Sequence, residues 1–193
     1  MTITEFQNIT LIDNIPSVLR HGILSHTEAK KVQHLSVALQ AVQEKRDVRK
    51  VPGGFALHEY ANIYFDARNP MMSKRRNEAQ RLCVLRISPA VLDIPGTVIT
   101  DQNAASKYVR FLAPAHLRYL DLDYICARNW KHPGDQIEEW RHSSAKCAEV
   151  LIPQRIPSEY LVGAYVVDDA AQRRLAAQEF RLPIHVNSDI FFH

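Results

Sequence analysis

The stretch Ser144-Ala145-Lys146-Cys147-Ala148-Glu149-Val150-Leu151-Ile152-Pro153 sets one carboxylate at the mouth of an otherwise apolar run. Val150-Leu151-Ile152 is short, aliphatic and stopped by a proline, which has no N–H to give to a ladder, so it reads as a buried strand. Glu149 then sits where that strand leaves solvent. A carboxylate there is either a surface charge that precedes a core strand or a group held rigidly at a cleft for chemistry. Position alone does not choose between the two.

Working outward, Phe6 to Leu11 alternates weakly and reads as a first strand. Asp13 or Asn14 caps a short helix that carries Pro16 in its first turn and closes at Gly22 in a left-handed conformation. Thr27 and Glu28 open a longer amphipathic helix, with Val32, Leu35, Leu39 and Val42 on one face and Val51-Pro52-Gly53-Gly54 at its end. Asn62 to Phe65 is a strand feeding the turn Asp66 to Pro70, after which Met71 and Met72 open a mobile or helical stretch. Leu82 to Ile87 and Val98 to Thr100 are strands, and Asp101 to Ser106 reads as the cap and first turn of a helix running to about Leu112. Pro114 to Leu120 and Tyr124 to Trp130 look like helical turns, Pro133 to Asp135 like a loop. Leu161 to Val167 is a strand, Asp169 to Phe180 a helix and Ile184 to Val186 a last short strand. Strands mixed with helices in no regular alternation predict an α+β fold.

The chain has 193 residues, 46% hydrophobic and 23% charged, which suits one domain spanning 1–193. No window approaches the roughly 20 apolar residues that cross a bilayer, and the N-terminus lacks the basic and apolar regions of a secretory signal. A cytoplasmic location is the expectation. Cys83, Cys126 and Cys147 are odd in number and widely spaced, which fits reduced structural thiols rather than disulfides or zinc. No metal site is expected, since the histidines show no ligand spacing. A net charge of +3 permits a polyanionic partner without requiring one. Lys30, Lys31, Lys45, Arg46, Arg49 and Lys50 read first as a solvated helix face; Lys74, Arg75, Arg76 and Arg81 lie beside the turn at Arg68. No Rossmann, P-loop, zincin or nucleophile-elbow signature is present.

Four segments in one order resemble the DarT family of DNA ADP-ribosyltransferase toxins: Asn8 to Leu19, Tyr64 to Met71, Thr100 to Ser106, and Lys146 to Ile152. The resemblance implies a split β-sheet core with flanking helices, NAD as the substrate, single-stranded DNA as the acceptor and no metal. It also implies a macrodomain ADP-ribosylglycohydrolase as antitoxin. Arg68 and Glu149 match the family's catalytic pair. Breaking the nicotinamide–ribose bond builds positive charge on the ribose, which a fixed carboxylate stabilises, and a forked, permanently charged arginine suits the NAD phosphates or the base.

Asn8 and Thr10 stand where relatives carry a His-x-Thr pair that binds NAD, with asparagine replacing histidine; Asn14 is a further cofactor contact or the helix cap. Gln102 stands where a glycine is frequent. Asn103, where thymine-modifying members often have histidine, tilts the reading towards guanine. Trp130, with Lys131 and His132, falls where relatives place a tryptophan that contacts nucleic acid, and Arg141, His142, Lys74 and Arg75 extend a basic approach to it. Two other readings remain: transfer to RNA or protein, and a binding module for nucleic acid or NAD without turnover.

Overall fold

The computed structural model describes residues 2–32 and 46–193. Its strands are β1 (Phe6–Leu11), β2 (Ile23–Leu24), β3 (Tyr60–Tyr64), β4 (Leu82–Ile87), β5 (Val98–Thr100), β6 (Phe111–Leu112), β7 (Glu149–Pro153), β8 (Arg155–Ile156), β9 (Leu161–Val166) and β10 (Ile184–Val186). Its α-helices are α1 (Ile15–His21), α2 (His26–Ala29), α3 (Pro70–Lys74), α4 (Leu122–Ile125), α5 (Gln136–Ala145) and α6 (Asp169–Ala176). One sheet runs β10-β9-β4-β1-β3-β7-β5-β6, and β2 pairs with β8 beside it. Among the described residues, only the β9–β10 pairing in the main sheet is parallel. The expected α+β class holds.

The sheet is split. β1 and β4 stay in register from Phe6↔Ile87 to Leu11↔Leu82, and β3 and β7 from Tyr60↔Pro153 to Tyr64↔Glu149. Between the two halves, β1 and β3 share the single registered pair Gln7↔Tyr64. Side chains bridge where the ladder fails: Asn8 Nδ2 donates to the Asn62 carbonyl at 3.1 Å, and the Ala67 N–H donates to Gln7 Oε1 at 2.7 Å. Such substitutes keep the backbone groups at the opening satisfied.

Alternation along β7 explains why the run around Glu149 is wholly buried. Val150 and Ile152 point into the main core with Ile63, Leu85 and Ile99, whereas Leu151 packs on the opposite face with Val51, Leu57, Tyr60 and Ala104. Glu149 shares that second face. Gly22 closes α1 at φ +82°, and a Cβ there would meet the Ile156 carbonyl oxygen at 2.1 Å, so the α1–β2 turn requires glycine.

Several expected elements are corrected. Residues 101–112 form no helix: Asp101 accepts from the Arg110 N–H at 2.9 Å and from Arg110 Nε at 2.6 Å, closing a hairpin that lays Phe111–Leu112 against β5. The Asp101 carboxylate does cap a turn, but its partner lies nine residues on. Residues 114–119 are a 3-10 turn, α4 stops at Ile125, and α6 ends at Ala176, short of Phe180. Asn14 makes no side-chain cap on α1; its Nδ2 donates to Thr10 Oγ1 at 3.3 Å. The amphipathic helix expected from Thr27 is cut short: α2, capped by Ser25 Oγ accepting from the Glu28 N–H, ends at Ala29, Val32 falls in a bend after it, and Leu35, Leu39 and Val42 lie outside the described residues. Among the described residues no helix is long and apolar enough to cross a membrane.

Candidate active site at the split of the sheet

β7 begins at Glu149, opposite Tyr64, which in turn lies opposite Gln7 across the split. Directly paired residues share a face, so these three form one row at the opening. Thr100 fixes the backbone there: its Oγ1 accepts from the Glu149 N–H at 2.9 Å and donates to the Glu149 carbonyl at 3.2 Å.

The Glu149 side chain is 1% exposed. Arg46 Nη1 donates to both carboxylate oxygens, at 3.1 Å to Oε1 and 2.9 Å to Oε2, and the Ala104 N–H donates to Oε1 at 3.1 Å. Arg46 is itself 6% exposed. A buried carboxylate and a buried guanidinium each carry a large desolvation cost, which their mutual contact and the added N–H offset. Burial, then the neighbouring Glu149 carboxylate, push the Tyr64 hydroxyl well above its usual range, so it stays neutral beside the acid.

Arg46 is the partner that sequence reading missed. It lies inside a basic run and was expected on a solvated face; no local signal separates it from Lys45 or Arg49, because its partner is 103 residues away. Arg68, expected to pair functionally with Glu149, points elsewhere. Its Nε donates to the Asp189 carbonyl at 3.0 Å, its Nη1 to the Arg128 carbonyl at 2.6 Å, and its guanidinium lies over the Phe192 ring at 4.3 Å. Among the described residues it makes no hydrogen bond or ion pair with Glu149. Beneath it, fully buried Lys146 pairs with Asp66, which also accepts from the Arg68 N–H at 2.8 Å.

Of the other expected residues, Thr10 and Asn14 are joined by their own hydrogen bond at the end of β1, and Asn8 is committed to Asn62. Asn103 lies next to the site: its N–H donates to the Ser144 carbonyl at 2.9 Å, and its Oδ1 accepts from the Ala105 N–H at 2.8 Å. Trp130 is 7% exposed, edge-on to Phe192 with Lys146 Nζ above its ring, so it presents no open face for a base. His142 is buried too, stacked on Tyr124 at 3.8 Å and donating from Nε2 to the Tyr124 carbonyl. The tryptophan that faces solvent is Trp140, 66% exposed on α5 beside exposed Arg141 and Ile137. Lys74 is exposed, while Arg75 donates to Glu78 at 2.7 Å. Among the described residues no group of His, Cys, Asp and Glu could hold a metal ion.

A family model described as DarT, ssDNA thymidine ADP-ribosyltransferase, matches residues 8–192, enclosing Asn8, Thr10, Arg46, Arg68 and Glu149. The chain belongs to the DarT family. It is 30% identical over 167 residues to a DNA ADP-ribosyl transferase of Thermus sp. strain 2.9, covering 80% of this chain and 77% of that one. It is 29% identical over 200 residues to a Thermosipho africanus DNA ADP-ribosyl transferase-DNA ADP-ribosyl glycohydrolase fusion protein, covering 97% of this chain and 49% of that one. This chain therefore spans about half the length of the fusion protein. Two solved DarT structures superpose at a TM-score of 0.85: the Thermosipho africanus DarTG in complex with ADP-ribose, at 27% identity over 98% of this chain and 51% of that one, and the Thermus sp. 2.9 DarT in complex with ADP-ribosylated ssDNA, at 25% identity over 98% of this chain and 96% of that one.

Proposed function

We propose that this chain, read as a single transferase domain acting in the cytoplasm, moves ADP-ribose from NAD to a nucleobase in single-stranded DNA, with Glu149 at the reacting centre. The observation that carries the reading is the buried Glu149 carboxylate held by Arg46 and the Ala104 N–H at the split of a DarT-family sheet. The nicotinamide leaves with the C1′–N bonding pair, positive charge develops on the ribose, and a base nitrogen then supplies the pair for the new bond and gives up its proton. Carboxylate oxygens each offer two acceptor positions. Oε1 already takes two donors and Oε2 one, so Oε2 is the oxygen with room for a ribose hydroxyl. A charge fixed in this way needs no reorganisation as the ribose becomes cationic.

Thr10 and Asn14 are assigned to NAD; Asn8 contributes through the sheet opening that it props. Arg68 is assigned to shaping the loop at Asp66 rather than to chemistry. For the strand, exposed Lys74 and Arg141 supply phosphate contacts and Trp140 replaces Trp130 as the stacking surface. Single strands are favoured because a duplex would first have to surrender a base, at a few kcal/mol. Asn103 meets the base through its Nδ2 donors, its Oδ1 being engaged. Guanine O6 and thymine O4 both accept such a donor, so guanine, favoured by the residue type, and thymine, named in the family description, are the two arms of the test. The relative fused to a DNA ADP-ribosyl glycohydrolase supports an antitoxin partner that removes the mark, expected to be a macrodomain.

The test incubates wild type and Glu149→Ala with labelled NAD and matched single-stranded DNA, duplex DNA and RNA. Label on single-stranded DNA with wild type alone is expected, and mass spectrometry of the nucleosides then names the base. Label on RNA or protein replaces the acceptor, and label nowhere leaves a binding module.

A further inference from the structure

Arg46 reaches Glu149 from a helical segment that turns at Val48, and that turn needs an anchor. Next to Arg46, Asp47 Oδ1 accepts from His58 Nδ1 at 2.8 Å. His58 belongs to the 3-10 turn Leu57–Glu59, which runs directly into β3, the strand that pairs with β7 along the row containing Glu149. The imidazole thus links the turn that carries Arg46 to the sheet that carries its target. His58 is itself 9% exposed, and the His26 ring of α2 covers it at 4.3 Å between centroids.

We propose that His58 is a positioning residue for the Arg46–Glu149 pair, acting through Asp47; this rests on Glu149 being the reacting carboxylate. A carboxylate only accepts, so Nδ1 carries the proton of the neutral ring and Nε2 is the bare nitrogen. Nε2 is buried and has no hydrogen-bond partner among the described residues. A proton placed on it would meet no acceptor there. Among the described residues, the charged and titratable groups that face the ring are Asp47 and Arg46 on the Arg46 turn, His26 on α2 and Lys30 just after it. Burial, helped by Arg46 and Lys30, holds the imidazole below the usual histidine range, against the pull of Asp47. The tether therefore works with a neutral ring; acid would leave the Nδ1–H bond to Asp47 in place but bury an unpaired N–H at Nε2 and a charge beside Arg46 and Lys30, which disturbs the packing around the turn.

The test is a set of variants in the full chain, assayed for transfer from NAD to single-stranded DNA. His58→Ala is expected to lower kcat on the order of 10- to 100-fold, the scale of a misplaced reacting group, with a smaller change in KM for NAD. Asp47→Ala should lose as much, and the double variant no more than either. His58→Asn keeps an N–H donor at the position of Nδ1 and cannot become charged, so it should restore most of the loss and flatten the acid limb of the kcat profile. Wild-type kcat in His58→Ala, effects that multiply in the double variant, or an asparagine no better than alanine would each overturn the proposal. Nitrogen NMR of the His58 ring reads the tether without activity. A protonated Nδ1 is expected and a protonated Nε2 would sink the idea, whereas a correct tautomer in a chain that transfers nothing would count against the proposed reaction instead.

Discussion

Replacing Arg46 with methionine keeps an unbranched apolar stem in its place and removes the charge that faces Glu149. Both partners are almost fully buried, 6% and 1% exposed, so solvent cannot take over the lost contact. Breaking one side of a buried pair costs about 3–5 kcal/mol, because the remaining charge stays uncompensated. For a chain of 193 residues each kcal/mol moves the melting temperature by about 2–4 °C, so Arg46→Met should lower it by roughly 6–20 °C. Glu149→Gln should cost a similar amount by stranding the guanidinium, although its amide oxygen can still accept from the Ala104 N–H. The informative variant is the double one. Arg46→Met with Glu149→Gln leaves no buried charge, and its cost should fall short of the summed singles by about 2–3 kcal/mol, the coupling of groups in direct contact. Urea unfolding of the four proteins measures it, with unchanged m-values as the check on comparability. Additivity to within about 0.5 kcal/mol would refute the reasoning, since the two charges would then not meet in the folded protein. Both single variants should also lose transfer activity.

Arg68→Ala removes a part-buried charge-assisted hydrogen bond to the Asp189 carbonyl, an exposed one to the Arg128 carbonyl and the cover over Phe192; the part-buried bond alone predicts a stability loss of about 1.5–3 kcal/mol by urea unfolding, with faster hydrogen exchange in residues 188–192. An unchanged stability with a raised KM for NAD would instead return Arg68 to the cofactor. The thiols give a second check: burial raises Cys126 to about 11 and Cys147 to about 12, and pushes Cys83 higher still. Thiolates, not thiols, attack an aromatic disulfide reagent, so at pH 8 the native chain should resist labelling and yield all of its thiols in urea; labelling of native Cys126 at the rate of a free thiol would contradict its placement.

The apolar strands were legible because burial writes itself locally. Val150 to Ile152 and Leu82 to Leu85 are continuous runs that only a strand between covered faces can accommodate, and both are buried where expected. Glu149 stood out at the mouth of such a run, but position alone gave it no role; the resemblance in segment order is what pointed to it. What local sequence could not place were features whose meaning depends on a partner distant in sequence. Asp101 reads as a helix cap until Arg110 closes on it. Trp130 and Trp140 are the same residue type, and only packing against Phe192 puts one inside and leaves the other on α5 in solvent. Arg68 carries the right chemistry, yet Asp189 and Phe192 from the far end of the chain claim it. Arg46 is the clearest case: its sequence neighbourhood is a basic run, and its charge acquires a role only when β7 brings Glu149 to it. Periodicity and composition thus determined the strands and the chemistry available, because those follow from residues a few positions apart; which arginine meets the glutamate was decided by tertiary structure, because a buried charge pair is chosen by the fold that brings its halves together.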